Sequence, residues 1–341
     1  MTLIRRADPH SVEDCAAIDA YLEGHPDMTP FHRRQWIGAV AWGCGQKAHY
    51  LVAGDPIRGL VPLNEVHSPL FGRALVSSGF AVGGGILADD MTTTEALAEQ
   101  VWELAARLSC PTVELRGGTL PGHWPEDVTT YLGFSRALAT DDEAELLAIP
   151  RKQRAEVRKA LANKLTVDVG DHDAHYAVYA ESVRNLGTPV FPRALFAAVL
   201  DAFGDDADIL TVRRDGVPLA SVLSLYHRGT VMPYWGGGTA AARPARANDL
   251  MYFALMRHAR ERGCTRFDFG RSKVGTGAAA FKRNWGFEGV PLAYAKRTAN
   301  GQAAREINPL DPRYTLPVRL WSKLPLVVAN RLGPLISRGL G

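Results

Sequence analysis

Gly83-Gly84-Gly85, Cys110-Pro-Thr-Val-Glu-Leu-Arg-Gly117 and Gly133-Phe134 recur further along the chain as Gly236-Gly237-Gly238, Cys264-Thr-Arg-Phe-Asp-Phe-Gly270 and Gly286-Phe287. The offsets are 153, 154 and 153 residues, and near-constant spacing through three landmarks marks an internal repeat. In each half a glycine-rich turn leads into a long helical run, a strand, and a helix closed by Gly-Phe before another strand. That order predicts an α/β domain used twice, not a solenoid.

Length agrees, since 341 residues suit two domains of about 150 with one cleft between them. With 46% hydrophobic and 22% charged residues the composition is that of a globular protein. No apolar run reaches the roughly 20 residues of a spanning helix. The opening Met-Thr-Leu-Ile-Arg-Arg-Ala-Asp-Pro-His has no apolar h-region, which places the expected compartment in the cytoplasm. Cys15, Cys44, Cys110 and Cys264 show neither C-x-x-C nor zinc spacing, so reduced thiols are expected.

Two hairpins are predicted, Ala48 to Ala53 with Gly59 to Val66, and Asp208 to Arg213 with Leu219 to Tyr226, each across a Gly/Asp turn. Helices are expected over Thr94 to Leu108 and Leu250 to Arg262, the second stopped by Gly263. The segment Glu181 to Pro192, with two prolines and a glycine, reads as a shaped loop and a candidate substrate lid. The division falls at 1–148 for the first domain and 149–304 for the second, with 305–341 packing back on the first.

The net charge is only +3, but the cations are bunched. After Ile149-Pro150 a helix carries Arg151, Arg154 and Arg158 on one face, followed by Lys159, with Val157 and Leu161 on another. Such a stripe is either a solvated face or a phosphate grip, because the arginine fork matches phosphate oxygens. From Pro312 onward Arg313, Arg319, Lys323, Arg331 and Arg338 alternate with leucines and valines and meet no acid. Two readings stand: an anionic membrane surface, or a terminal segment folded back for cover.

The densest chemistry is Phe267-Asp-Phe-Gly-Arg-Ser-Lys-Val-Gly-Thr-Gly-Ala-Ala-Ala-Phe-Lys-Arg-Asn-Trp-Gly-Phe287. Phe267 and Phe269 share one face of a strand, so Asp268 is presented on the other. Arg271, Lys273, Gly275, Thr276 and Gly277 form a loop able to cradle a phosphate or oxyanion, or simply to turn a corner. The Phe281-Lys282 pair follows on a helix. Tyr234 and Trp235, before the second glycine triplet, are channel-lining or core aromatics. Asp171-His172-Asp173-Ala-His175 reads as turn and cap chemistry, and no metal is expected.

These residues carry a family resemblance over nearly the whole chain. His25-Pro-Asp, Phe71-Gly72, Gly84-Gly-Ile-Leu-Ala-Asp-Asp, Ile149-Pro-Arg-Lys-Gln-Arg, Asn185-Leu-Gly-Thr-Pro-Val-Phe-Pro and Phe267-Asp-Phe-Gly-Arg-Ser-Lys together resemble the FemAB-like (FemABX) proteins, specifically the subgroup associated with the XrtA/PEP-CTERM (exosortase) system. The resemblance implies an α/β (α+β) fold: two tandem GNAT-type domains, each a mixed, mostly antiparallel sheet flanked by helices. It implies transfer of an amino acid from aminoacyl-tRNA to an amine of a peptidoglycan precursor, or in this subgroup of an exopolysaccharide-related one. Carried over by position, Lys282 contacts the transferred group or a phosphate, Phe281 stands beside it, and Arg154, Arg158 and Lys159 lie on the helix that opens the second domain. Asn185 and Asn248 join Tyr234, Trp235 and Arg271 as candidate substrate contacts.

The donor question turns on one loop. Acetyl-CoA users of the GNAT fold open their long helix with a glycine-rich loop whose amides bind pyrophosphate. Here Arg243-Pro-Ala-Arg-Ala-Asn-Asp249 has no glycine, and Pro244 has no amide to give. In the first half Asp89-Asp90 would repel the same group. Acetyl-CoA is therefore disfavoured; aminoacyl-tRNA is the donor the resemblance implies, acyl-CoA is the alternative, and no resident cofactor is expected. The reading is direct attack of an acceptor amine on an activated ester, with Lys282 on the oxyanion and Asp268 taking the proton or holding Arg271, and with no covalent intermediate. Two other classes stay open: an acyl-CoA-dependent N-acyltransferase, and a non-catalytic binding protein on a transferase fold. Localisation is expected to be cytoplasmic or peripheral to the inner membrane.

Overall fold

The computed structural model describes residues 3–302, 305 and 312–341. The first half runs β1 (Ile4–Arg6), α1 (Val12–Gly24), α2 (Arg34–Cys44), β2 (Lys47–Ala53), β3 (Gly59–Ser68), β4 (Gly72–Ser77), β5 (Leu87–Ala88), α3 (Met91–Arg107), β6 (Thr112–Arg116), β7 (Glu126–Asp127), β8 (Tyr131–Ala137) and α4 (Asp142–Ala148). The second runs α5 (Arg151–Ala162), β9 (Thr166–Val169), α6 (His172–Asn185), α7 (Arg193–Phe203), β10 (Ala207–Arg214), β11 (Val217–His227), β12 (Thr230–Gly238), α8 (Ala242–Ala245), α9 (Ala247–Glu261), β13 (Arg266–Lys273), α10 (Gly277–Asn284), β14 (Gly289–Pro291) and β15 (Tyr294–Thr298). Helices α11 (Pro312–Trp321) and α12 (Leu326–Ser337) follow.

Both predicted hairpins and both long helices are present. Helix α3 buries Leu97, Ala98, Val101, Leu104 and Ala105, and α9 buries Met251, Leu255, Met256 and Ala259, the spacing of a helix laid on a sheet. Side-chain caps start several helices: Asp90 accepts from the Thr93 amide, Asp171 from Ala174 and Thr276 from Ala279. The aspartate-histidine cluster is accordingly a helix start, as read from the sequence. Among the described residues no group of three or more His, Cys, Asp or Glu gathers as for a metal.

Two mixed sheets result, ordered β1-β2-β3-β4-β6-β15-β7 and β14-β8-β13-β12-β11-β10-β9. Each contains four successive antiparallel strands and then one parallel step, from β4 to β6 and from β12 to β13. The sheets do not follow a single cut near residue 148. Strand β8 comes from the first half but pairs with β13 and β14, while β15 comes from the second and pairs with β6 and β7. The third sequence landmark fails here: Gly133-Phe134 closes no helix but lies in β8, facing Val290 and Gly289, whereas Gly286-Phe287 does follow α10.

An apolar seam locks the halves together. Trp36 of α2 stacks on Trp235 of β12 at 5.8 Å, and both belong to a core containing Phe31, Phe196 and Phe203. Trp235 is thus a core residue. Helices α2 and α7 approach so closely that a Cβ on Gly43 would lie 2.4 Å from the Leu195 Cα. The expected lid is shorter than read, because α6 continues to Asn185 and the loop begins at Leu186.

The tail rests on both halves rather than on the first alone. Ser337 Oγ donates to the Val190 carbonyl at 2.7 Å, while Gln46 Nε2 donates to the Arg338 carbonyl at 2.6 Å. No helix among the described residues is long and apolar enough to cross a membrane.

Candidate active site

Strands β12 and β13 are paired only through Thr230–Arg266 and Val231–Phe267, after which they part. The wedge between them opens into a cavity of about 410 Å³. Met232, Pro233 and Tyr234 line one wall, Asp268 and Gly270 another. The first half closes it with Thr29, Phe31 and His32, the Gly83-Gly84 loop and Gly117-Gly118. The two glycine pairs meet backbone to backbone: a Cβ on Gly85 would lie 1.8 Å from the Gly117 carbonyl oxygen, and Gly84 has φ +92°. No side-chain-bearing residue fits there.

A bulge aims the second wall. β13 pairs regularly with β8 through Asp268–Ser135, then slips so that Arg271 faces Gly133, with Gly270 at φ +65°. Phe267 and Phe269 point into the second core, as strand alternation predicts, and Asp268 faces the cavity. Burial raises the Asp268 carboxyl, against the Gly270 amide, which donates at 2.8 Å, and against the charges of Lys282 and Arg266. A carboxylate held in this way is a better proton acceptor than an exposed one.

Lys282 holds the bulge. Its ammonium donates to the carbonyls of Phe269, Gly270 and Arg271 at 2.7, 3.1 and 2.9 Å. An ammonium has three protons, and all are spent on the backbone. Burial lowers the group to about 8, with Asp268 opposing. Lys282 was expected to face the transferred group; in this geometry its ammonium is held by the backbone on either side of Gly270, next to Asp268 and Arg271.

His32, which the sequence reading missed, lines the same cavity. The Thr29 backbone N–H donates to Nδ1 at 3.0 Å, so the ring proton belongs on Nε2. Nε2 is buried next to the Gly85 carbonyl but has no well-formed hydrogen bond. Burial holds the imidazole down at about 3, so it stays neutral. A lone Thr-Pro-Phe-His turn carries no motif, and only the tertiary fold reveals the residue.

Among the described residues, cations outnumber carboxylates beside the cavity. Glu114 on β6 accepts from Arg116 Nε at 2.7 Å and has the Lys296 ammonium at 3.4 Å. Burial pushes this carboxyl up, but Arg116, Lys296 and Arg271 outweigh it and hold the group at about 2. Arg271 donates to Tyr294 Oη at 2.9 Å and lies over the Tyr131 ring at 4.7 Å. Arg305 adds a fourth cation, its Nε buried without a partner. Among the described residues one carboxylate meets four cations. Tyr294 belongs to both the cluster and the cavity wall.

Of the remaining expected contacts Tyr234 lines the cavity and the others lie elsewhere. Thr276 caps α10 and donates to the Lys273 carbonyl at 2.7 Å, with Gly275 and Gly277 shaping that turn. Lys273 lies over the Tyr131 ring. Phe281 packs on Tyr252 and Phe269. Tyr234 lines the cavity, its hydroxyl donating to the Phe80 carbonyl at 2.6 Å. Asn185 is exposed at the end of α6, and Asn248 lies against Gly238. Arg158 and Lys159 are exposed, Arg154 half-buried, and Lys159 pairs with Glu156.

Helix α5 instead covers the start of α9. Glu156 accepts from Arg246 Nε at 2.6 Å, and Gln153 Nε2 donates to Asp249 at 2.6 Å. In the first half Asp90 caps α3 and pairs with Arg58. Both long helices thus begin under carboxylates.

Residues 151–283 match the family model of the acetyltransferase (GNAT) domain. A FemX structure superposes with a TM-score of 0.65 at 15% identity, covering 87% of this chain and 98% of that one. The C-terminal domain (DUF2156) of a putative lysylphosphatidylglycerol synthetase from Agrobacterium fabrum gives 0.58 at 14%, covering 84% and 92%. A tandem GNAT protein from the clavulanic acid biosynthesis pathway gives 0.53 at 13%, covering 88% and 100%. A search of the curated proteins found no match. The architecture is that of two GNAT-like domains in tandem, with the Asp268 cavity at their junction.

Proposed function

We propose that this protein is an acyl- or aminoacyltransferase that acylates an amine of a cell-envelope precursor in the cavity between its domains. The observation that carries the reading is Asp268, a buried carboxyl raised in basicity, on the wall of a two-domain cavity that the neutral imidazole of His32 also lines. The acceptor nitrogen attacks the ester carbonyl of the donor. As the C–N bond forms, Asp268 takes the nitrogen's proton and His32 Nε2–H stabilises the developing oxyanion. The ester C–O bond then breaks, and the departing alkoxide takes a proton back.

Aminoacyl-tRNA is the donor we favour. Pyrophosphate would meet Glu156 and Asp249 at one long helix and Asp90 at the other, where helix N-termini otherwise attract phosphate. The Arg116, Arg271, Lys296 and Arg305 cluster offers phosphate oxygens a place beside the cavity. Structural neighbours named FemX and lysylphosphatidylglycerol synthetase support an envelope acceptor, and an exopolysaccharide-related acceptor of the XrtA/PEP-CTERM kind is the narrower form of this proposal. The GNAT acetyltransferase match favours acyl-CoA as second reading.

Labelled aminoacyl-tRNA and labelled acyl-CoA, each incubated with envelope-precursor extract, separate the two. Transfer from tRNA that is lost in Asp268→Asn is the expected result. Transfer from acyl-CoA alone would establish the second reading, and transfer undiminished in Asp268→Asn would remove the proposed base.

A further inference from the structure

Helix α12 is packed inside out. A surface helix ordinarily buries its large aliphatic side chains and shows small or polar ones to water. Here Ala329, Gly333 and Ser337, four residues apart, face inward. Gly333 lets the helix close on the loop after α6, since a Cβ there would lie 2.9 Å from the Val190 nitrogen, and Ser337 bonds the Val190 carbonyl. The aliphatics are left outside: Val327 is 81% and Leu335 59% exposed, with Val328 and Leu332 also in water. In α11, Val318 packs on Gly187 while Leu316 and Leu320 are exposed.

Neighbouring segments extend the same character. Exposed Leu70 stands in the β3–β4 turn, whose Ser68 meets Gly339, and exposed Leu186 adjoins Gly187. Interleaved with the aliphatics are the exposed cations Arg319, Lys323, Arg331 and Arg338. Residues 312–341 contain no aspartate or glutamate at all. An outward face of this extent requires a cover that is apolar within and negative at its rim.

We propose that the α11–α12 face docks on an anionic lipid bilayer, inserting its aliphatic side chains among the acyl chains while its cations meet lipid phosphates. Charge complementarity selects this occupant, because the face carries exposed cations among its aliphatics and no acid, as a uniformly negative lipid surface requires. Prolines 317, 325 and 334 break the register a fixed partner helix would need, and a fluid bilayer is indifferent to that.

The full chain is floated with vesicles of phosphatidylcholine alone and of phosphatidylcholine with phosphatidylglycerol, at low and high salt. Binding to the anionic vesicles that weakens with salt is expected, and a drop of about tenfold or more in Val327→Asp/Leu335→Asp and in Arg331→Glu/Arg338→Glu. Because these side chains are exposed, the melting temperatures of the variants stay at the wild-type value, so loss of binding is not loss of fold. Absence of flotation, equal binding to both vesicle types, or an unchanged affinity in the variants overturns the proposal. A wild-type dimer in light scattering that Val327→Asp/Leu335→Asp dissolves also overturns it, assigning the face to a second copy of this chain.

Discussion

Glu114 on β6 and Asp268 on β13 stand at the same place in the two halves, each four residues after its landmark cysteine on the strand that follows the long helix. Their surroundings are opposite. Glu114 is enclosed by Arg116, Lys296 and Arg271 and is held at about 2 despite its burial. Asp268 is buried, accepts from the Gly270 amide and has Lys282 turned toward the backbone, and it is raised. A duplicated frame has produced one carboxylate that neutralises cations and one able to take a proton. Environment, not position in the fold, separates the two roles.

The widest split comes from removing each charge in turn. Asp268→Asn is expected to lower turnover by about 100-fold to 10,000-fold, the range for loss of a general base, while the unfolding midpoint in urea holds or rises because a costly buried carboxyl is gone. Glu114→Gln is expected to do the reverse in stability, losing about 3–5 kcal/mol by leaving buried cations uncompensated. Equal destabilisation by both substitutions would erase the distinction between the two sites.

Lys282 sharpens the comparison, since nothing on β6 corresponds to its clamp. Lys282→Met strips three carbonyls of their donor, and a loss of about 2–3 kcal/mol in urea unfolding is expected together with reduced turnover. If turnover vanished while the unfolding curve stayed in place, the oxyanion role read from the sequence would be favoured. Both hairpins and both long helices were legible, as were the aspartate cap at Asp171 and the side of the strand on which Asp268 stands. The clamp was not, because it depends on a bulge: Phe-Asp-Phe-Gly reads as continuous alternation, and only pairing with β8 shows that Phe269 and Gly270 are accommodated by a slip in register. The strand exchange was hidden for a related reason. Short strands such as Tyr131–Ala137 carry no signal of which sheet they join, and a coincidental Gly-Phe spacing suggested the wrong element. His32 lay beyond reach because its surroundings, Thr29 and Gly85, are brought together only by the tertiary fold of the first half.

The smallest effect tests the imidazole itself. Burial depresses His32 to about 3, and likewise His175, which is packed among Tyr179 and Phe196 with Nδ1 at 3.0 Å from Ser221 Oγ. An unfolded histidine takes up its proton near 6.5. Between about 3 and 6.5 the unfolded chain therefore binds more protons than the folded one, and stability rises with pH across that window, falling on acidification by up to about 1.4 kcal/mol per pH unit for each ring. His175→Phe is expected to remove one ring's share of that slope while leaving transfer activity in place. His32→Phe is expected to remove the same share and also lower turnover, because that ring alone faces the Asp268 cavity. A His32→Phe variant with wild-type turnover would leave the oxyanion without its proposed donor, and would shift the search to the backbone amides of the Gly83-Gly84 and Gly117-Gly118 loops that line the same wall.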